Sequence, residues 1–109
     1  MDAAGGNLRR RAHIPVLYHQ VLSTLSPRAG GRYIDGTLGA GGHAEGVLQA
    51  SSPDGELLGL DRDPMALKIA AENLSSFWER VHLRRGSFAD MRRHAAAEGW
   101  EEVDGILLD

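Results

Sequence analysis

The sequence predicts an α/β protein built on a doubly wound parallel sheet. Three observations predict it. Short apolar runs alternate with segments of helical period. A glycine-rich loop follows the first of those runs, where an α/β fold turns from strand to helix. Carboxylates close three of the four runs, at Asp35, Asp61 and Asp109.

The elements follow in order. Leu17, Val21, Leu22 and Leu25 recur at the spacing of one helical face, with Pro15 suited to the entry and Pro27 to the exit. "GGRYID" reads as a turn and a short strand ending at Asp35. After the loop a helix is expected over 43–50, then a turn cluster, "SSPDGE". "LLGLD" is a short apolar strand ending at Asp61. "DPMALKIAAENL" reads as a helix with Asp63 as N-cap and Pro64 at the first helical position. Met65, Leu67, Ile69, Ala70 and Leu74 are expected to form its apolar side. "VHLRR" is the third strand, "GSFAD" a loop, 91–98 a helix and "VDGILLD" the fourth strand. Alternation of this kind implies parallel strands with helices on both faces and a ligand crevice at the strands' carboxyl ends.

Composition narrows the possibilities. The 109 residues suffice for one domain, and 42% hydrophobic with 25% charged residues is ordinary for a globular chain. The absence of cysteine excludes a disulfide scaffold and thiolate-ligated metal sites. His13 and His19 have no carboxylate or cysteine at a ligand spacing, so no metal is expected. A net charge of −3 gives no electrostatic footprint for nucleic acid. No apolar run is long enough to span a membrane. Residues 1–12, with Arg9, Arg10 and Arg11, are expected to be a disordered basic tail, and 13–109 a single domain.

The loop "DGTLGAGGHA", Asp35 to Ala44, carries the chemistry. Gly39, Gly41 and Ala44 satisfy the G-x-G-x-x-G/A pattern, and Asp61 follows at the distance of a ribose-binding carboxylate. That pattern serves NAD, FAD and S-adenosylmethionine alike, since each presents an adenosine. Asp35 discriminates among them. At about 5 Å and an effective dielectric of about 20, a carboxylate and a phosphate repel by roughly 3 kcal/mol. S-adenosylmethionine carries no phosphate but a sulfonium and an ammonium, so the same carboxylate helps it, directly or by pinning the loop.

Asp61 is expected to accept hydrogen bonds from both ribose hydroxyls, with turn capping as the plainer alternative. Phe88, in the third loop, offers an apolar face for adenine or simply packs in the core. His43 is either a polar first-turn residue or a ligand contact beside Gly41 and Gly42. A dinucleotide-binding oxidoreductase fragment and a non-catalytic donor-binding fragment remain as rival readings.

"HIPVL", "YIDGTLGAGGHAEGVL", "LLGLDRDPMAL" and "VDGILLD" together resemble the bacterial 16S ribosomal RNA cytosine-N(4)-methyltransferases, the RsmH or MraW family. The resemblance covers 13–109. It implies the amino-terminal half of a class I, Rossmann-like methyltransferase, with S-adenosylmethionine as cofactor and small-subunit ribosomal RNA as partner. It also implies a cytoplasmic setting. The family's donor-binding positions fall on Gly41, Gly42, His43, Asp61, Phe88 and Asp109. No catalytic residue is assigned.

Overall fold

The computed structural model describes residues 25–108. The expected tail, the helix expected to end at Pro27 (except its last residues), His13, His19 and Asp109 lie outside them. Four strands form one sheet: β1 (Arg32–Asp35), β2 (Glu56–Asp61), β3 (Val81–Arg85) and β4 (Gly105–Leu107). Three helices connect them: α1 (Gly42–Ala50), α2 (Pro64–Asn73) and α3 (Met91–Ala97). The sheet order is β3-β2-β1-β4, and every pairing is parallel. Tyr33 stands level with Leu57 on one side and Gly105 on the other. This is the 3-2-1-4 part of the doubly wound order, with β1 and β4 flanking the point where the winding reverses.

Strand pleating sorts the apolar residues onto two faces. On one, Tyr33 and Leu57 pack with Ala44, Val47 and Leu48 of α1 and with Ala70 and Leu74 beneath α2. On the other, Ile34, Leu58 and Leu60 pack with Ala95 of α3 and with Trp100. Both faces of β1 and β2 are therefore covered, which explains why "YI" and "LLGL" read as continuous apolar runs rather than alternating ones.

Local chemistry sets the boundaries. The Asp63 side chain accepts from Met65 N at 2.9 Å, with Pro64 in the first helical position. At the far end of α1, the buried Ser51 donates from Oγ to Val47 O at 2.7 Å. Arg80 reinforces this end by donating to Leu48 O at 3.0 Å and Gly55 O at 2.8 Å. Across the second face, His82 lies between two carboxylates, 2.9 Å from Glu56 and 3.2 Å from Glu98. Arg84 grips the same Glu98 at 2.7 and 2.9 Å, fastening the end of α3 to β3.

Three expectations need correction. Met65 and Ile69 are not buried but 60% and 41% exposed, because only the Ala70 and Leu74 side of α2 reaches the sheet. "GSFAD" is not wholly irregular: Phe88–Asp90 forms a 3-10 turn, capped by Ser87 Oγ accepting from Ala89 N at 3.2 Å. The fourth strand is shorter than "VDGILLD", spanning Gly105–Leu107 alone.

Candidate functional site

A cleft of about 290 Å³ opens at the carboxyl ends of the strands. Gly36 and Thr37 line it from the loop after β1, Asp61 and Arg62 from the end of β2, and Gly86, Ser87 and Phe88 from the loop after β3. It lies where the topology requires a ligand crevice.

Asp35 is 1% exposed and does not line the cleft. Its Oδ1 accepts from Thr37 N at 3.0 Å, two residues along. Of the two ways in which this carboxylate was expected to act, the structure displays loop pinning. Gly36, between them, allows close approach. A Cβ there would stand 2.8 Å from Phe88 Cβ and 2.5 Å from the tip of Leu108. The absence of a side chain lets the first and third loops meet.

Asp61 is partly buried at the cleft wall. Its Oδ2 accepts from Gly39 N and its Oδ1 from Asp63 N, both at 2.9 Å. The capping alternative is thus real, but it does not exhaust the group. A carboxylate has about four acceptor sites, and these two bonds use two of them. The remainder suit a pair of vicinal hydroxyls.

The glycine loop is tied at further points. Leu38 N donates to Leu60 O at 3.0 Å, and Gly41 N to Leu38 O at 3.0 Å. Gly41 is the N-cap of α1, with φ +91°, a left-handed conformation that costs a glycine little. A Cβ on it would meet Leu74 at 3.3 Å, so α2 packs against this glycine. The helical ladder opens with Glu45 N donating to Gly41 O at 2.9 Å. Gly42 and His43 therefore occupy the first turn of α1, at the positive end of its dipole. His43 is 5% exposed, more enclosed than a solvated first-turn residue.

Phe88 is 49% exposed in the cleft wall. This excludes the plain core-packing reading and leaves an apolar face available to a flat ligand. Of the six expected site residues, then, Asp61 and Phe88 both line the cleft, whereas Gly41, Gly42 and His43 form the start of α1 and are not among its lining residues. Asp109 lies outside the described residues.

Sequence reasoning missed Gly36, Thr37, Arg62, Gly86 and Ser87. The available signal was position: each neighbours a strand end, where the crevice must lie.

Parallel strands in this order, with a glycine loop, a carboxylate ending β2 and a loop-pinning aspartate ending β1, form the frame of a class I methyltransferase fold. Solved structures agree. An S-adenosylmethionine-dependent O-methyltransferase from Thermotoga maritima superposes with a TM-score of 0.67 at 24% identity, covering 87% of this chain and 34% of its own. TrmN from Thermus thermophilus gives 0.66 at 28% identity, covering 86% of this chain and 27% of its own.

Residues 10–109 match the MraW methylase family, and the chain belongs to that family. A relative named ribosomal RNA small subunit methyltransferase H, from Geobacter sulfurreducens, is 53% identical over 98 residues. The match covers 90% of this chain and 32% of the relative. The relative of the same name from Desulfovibrio desulfuricans is 52% identical over 97 residues, covering 89% of this chain and 29% of its own. The chain thus spans about a third of the length of the curated relatives it matches.

Proposed function

We propose that this chain supplies the donor-binding part of an enzyme that methylates ribosomal RNA. The donor is S-adenosylmethionine, and the acceptor is the exocyclic N(4) amine of a cytidine in small-subunit (16S) ribosomal RNA, in a cytoplasmic setting. The observation that carries the reading is the Asp61 carboxylate. It is held by two backbone amides in a cleft that also offers the open face of Phe88. Membership of the MraW methylase family and the names of the relatives support the choice of acceptor.

The residues present fit the donor. Asp61 would hold the ribose hydroxyls, Phe88 would cover the adenine, and Gly41, Gly42 and His43 would receive the amino-acid end at the start of α1. Asp109 joins this set by resemblance. Bound there, S-adenosylmethionine supplies a methyl group made electrophilic by its sulfonium.

The chain's own contribution is positioning. A cytosine amine is a weak nucleophile because its lone pair is delocalised into the ring. The reaction therefore gains most from holding amine and methyl carbon in line. The Asp61 carboxylate at the cleft wall favours a cationic donor over a pyrophosphate, and Asp35 contributes by pinning the loop. Among the described residues, no helix is long and apolar enough to cross a membrane.

Calorimetry on the full-length protein tests the donor, and methyl transfer to small ribosomal subunits lacking the modification tests the acceptor. S-adenosylmethionine and its demethylated product are expected to bind, and NAD is not. Tighter binding of NAD would overturn the reading.

A further inference from the structure

The loop from Thr37 to Gly41 is held by side chains from three elements. Asp35, ending β1, takes Thr37 N, and Asp61, ending β2, takes Gly39 N. The third tie comes from α2, whose last residue, Asn73, donates from Nδ2 to Ala40 O at 2.9 Å. The first two were visible as carboxylates at strand ends. Asn73 belongs to no motif in the sequence.

Ala40 stands between two glycines with left-handed backbones, Gly39 at φ +55° and Gly41 at φ +91°. Glycine crosses between positive and negative φ at little cost, so the peptide joining Ala40 to Gly41 can rotate at little cost on its glycine side. Both of its polar groups are engaged. Gly41 N donates to Leu38 O at 3.0 Å, within the loop, and Ala40 O accepts from Asn73. The Asn73 bond reaches outside the loop and fixes the carbonyl on the α2 side. Rotation of this peptide would interchange the directions of a carbonyl and an N–H immediately before Gly42 and His43.

We propose that Asn73 is a positioning residue, whose side-chain amide holds the Ala40–Gly41 peptide in the orientation in which the loop receives the donor. It acts through the backbone and does not touch the donor. The inference rests on the donor reading above for its effect on affinity, but not for its effect on the loop.

Two variants of the full-length protein separate the possibilities. Asn73→Asp keeps the size of the side chain but removes the donor, and Asn73→Ala removes both. Each is expected to weaken S-adenosylmethionine binding about threefold to tenfold, the span of one exposed neutral hydrogen bond. In turnover, KM for the donor should rise while kcat at saturating donor stays put. Asn73→Gln, which restores an amide, should recover part of the affinity.

Amide hydrogen exchange on the ligand-free protein supplies a readout independent of any donor. Exchange at Gly41 should quicken in Asn73→Asp, while exchange in β2 stays unchanged. Wild-type exchange at Gly41 in that variant would overturn the proposal, as would wild-type donor affinity in both Asn73→Asp and Asn73→Ala. Failure of the unsubstituted protein to bind S-adenosylmethionine would instead overturn the donor reading, and the exchange result would still decide the role of Asn73.

Discussion

Replacing Asp61 with alanine should damage two properties at once, by separable amounts. The carboxylate accepts from Gly39 N and Asp63 N, each at 2.9 Å. A hydrogen bond to a charged group contributes about 1.5–3 kcal/mol, and partial exposure places these two toward the lower end. Losing both should cost about 2–3 kcal/mol of folding stability, less than their sum because water enters the vacated site. The same group's remaining acceptor sites would hold the ribose hydroxyls. That loss should weaken donor binding by roughly 30- to 150-fold, equivalent to about 2–3 kcal/mol. Asp61→Asn keeps one oxygen and turns an amide donor toward a backbone N–H, so it should fall between alanine and the native protein in stability. Urea denaturation of the full-length protein gives the first quantity and calorimetry with S-adenosylmethionine the second. An alanine variant as stable as the native protein would refute the account of the two backbone bonds. A folded variant with native donor affinity would assign Asp61 to turn formation alone.

Phe88→Ala should weaken donor binding about threefold to tenfold, since only the exposed half of the residue is left to cover and full burial is worth about 1.5–3 kcal/mol. It should change stability little, because the ring is 49% exposed without ligand. Thermal melting and calorimetry distinguish these outcomes. Asp104 gives a pH prediction. Its carboxyl is held below its usual range by the hydrogen bond from Arg32 N, which desolvation partly offsets and the hydrogen bond and charge of Arg28 reinforce. A depressed carboxylate contributes stability above its unfolded pKa, about 3.9, and loses it as pH falls through the folded value. Asp104→Asn should therefore flatten the acid limb of the stability curve below about pH 4, as followed by denaturant melts. An unchanged acid limb would show that this contact carries no linkage.

Much of the scaffold was legible because it depends on local chemistry. Asp63 and Pro64 announce a helix start wherever they are placed, and four short apolar runs between helical segments leave few topologies. The site was half legible for the same reason: strand ends in such a fold share one rim, so Asp61 and Phe88 could be placed beside a cleft. What stayed hidden depends on register. Glu56 and Glu98 meet His82 because β2 pairs with β3 in one alignment and α3 returns across it. Asn73 reaches Ala40 across 33 residues. The exposure of Met65 and Ile69 was likewise beyond an apolar pattern, which reveals a helix but not the width of the surface it packs against.

The three ties on the glycine loop span very different lengths of chain: 2 residues for Asp35, 22 for Asp61 and 33 for Asn73. The loop can adopt its final shape only after β2 has paired with β1 and α2 has docked. It is therefore expected among the last parts of the fold to mature, since long closures form late when their entropy cost must first be met by other contacts. Ligand capture then becomes a time stamp. In a refolding experiment, the appearance of binding competence should trail the recovery of helical signal. A ligand that binds the matured loop alone would also deepen the native well, by about 2.7 kcal/mol at a hundredfold excess over its Kd.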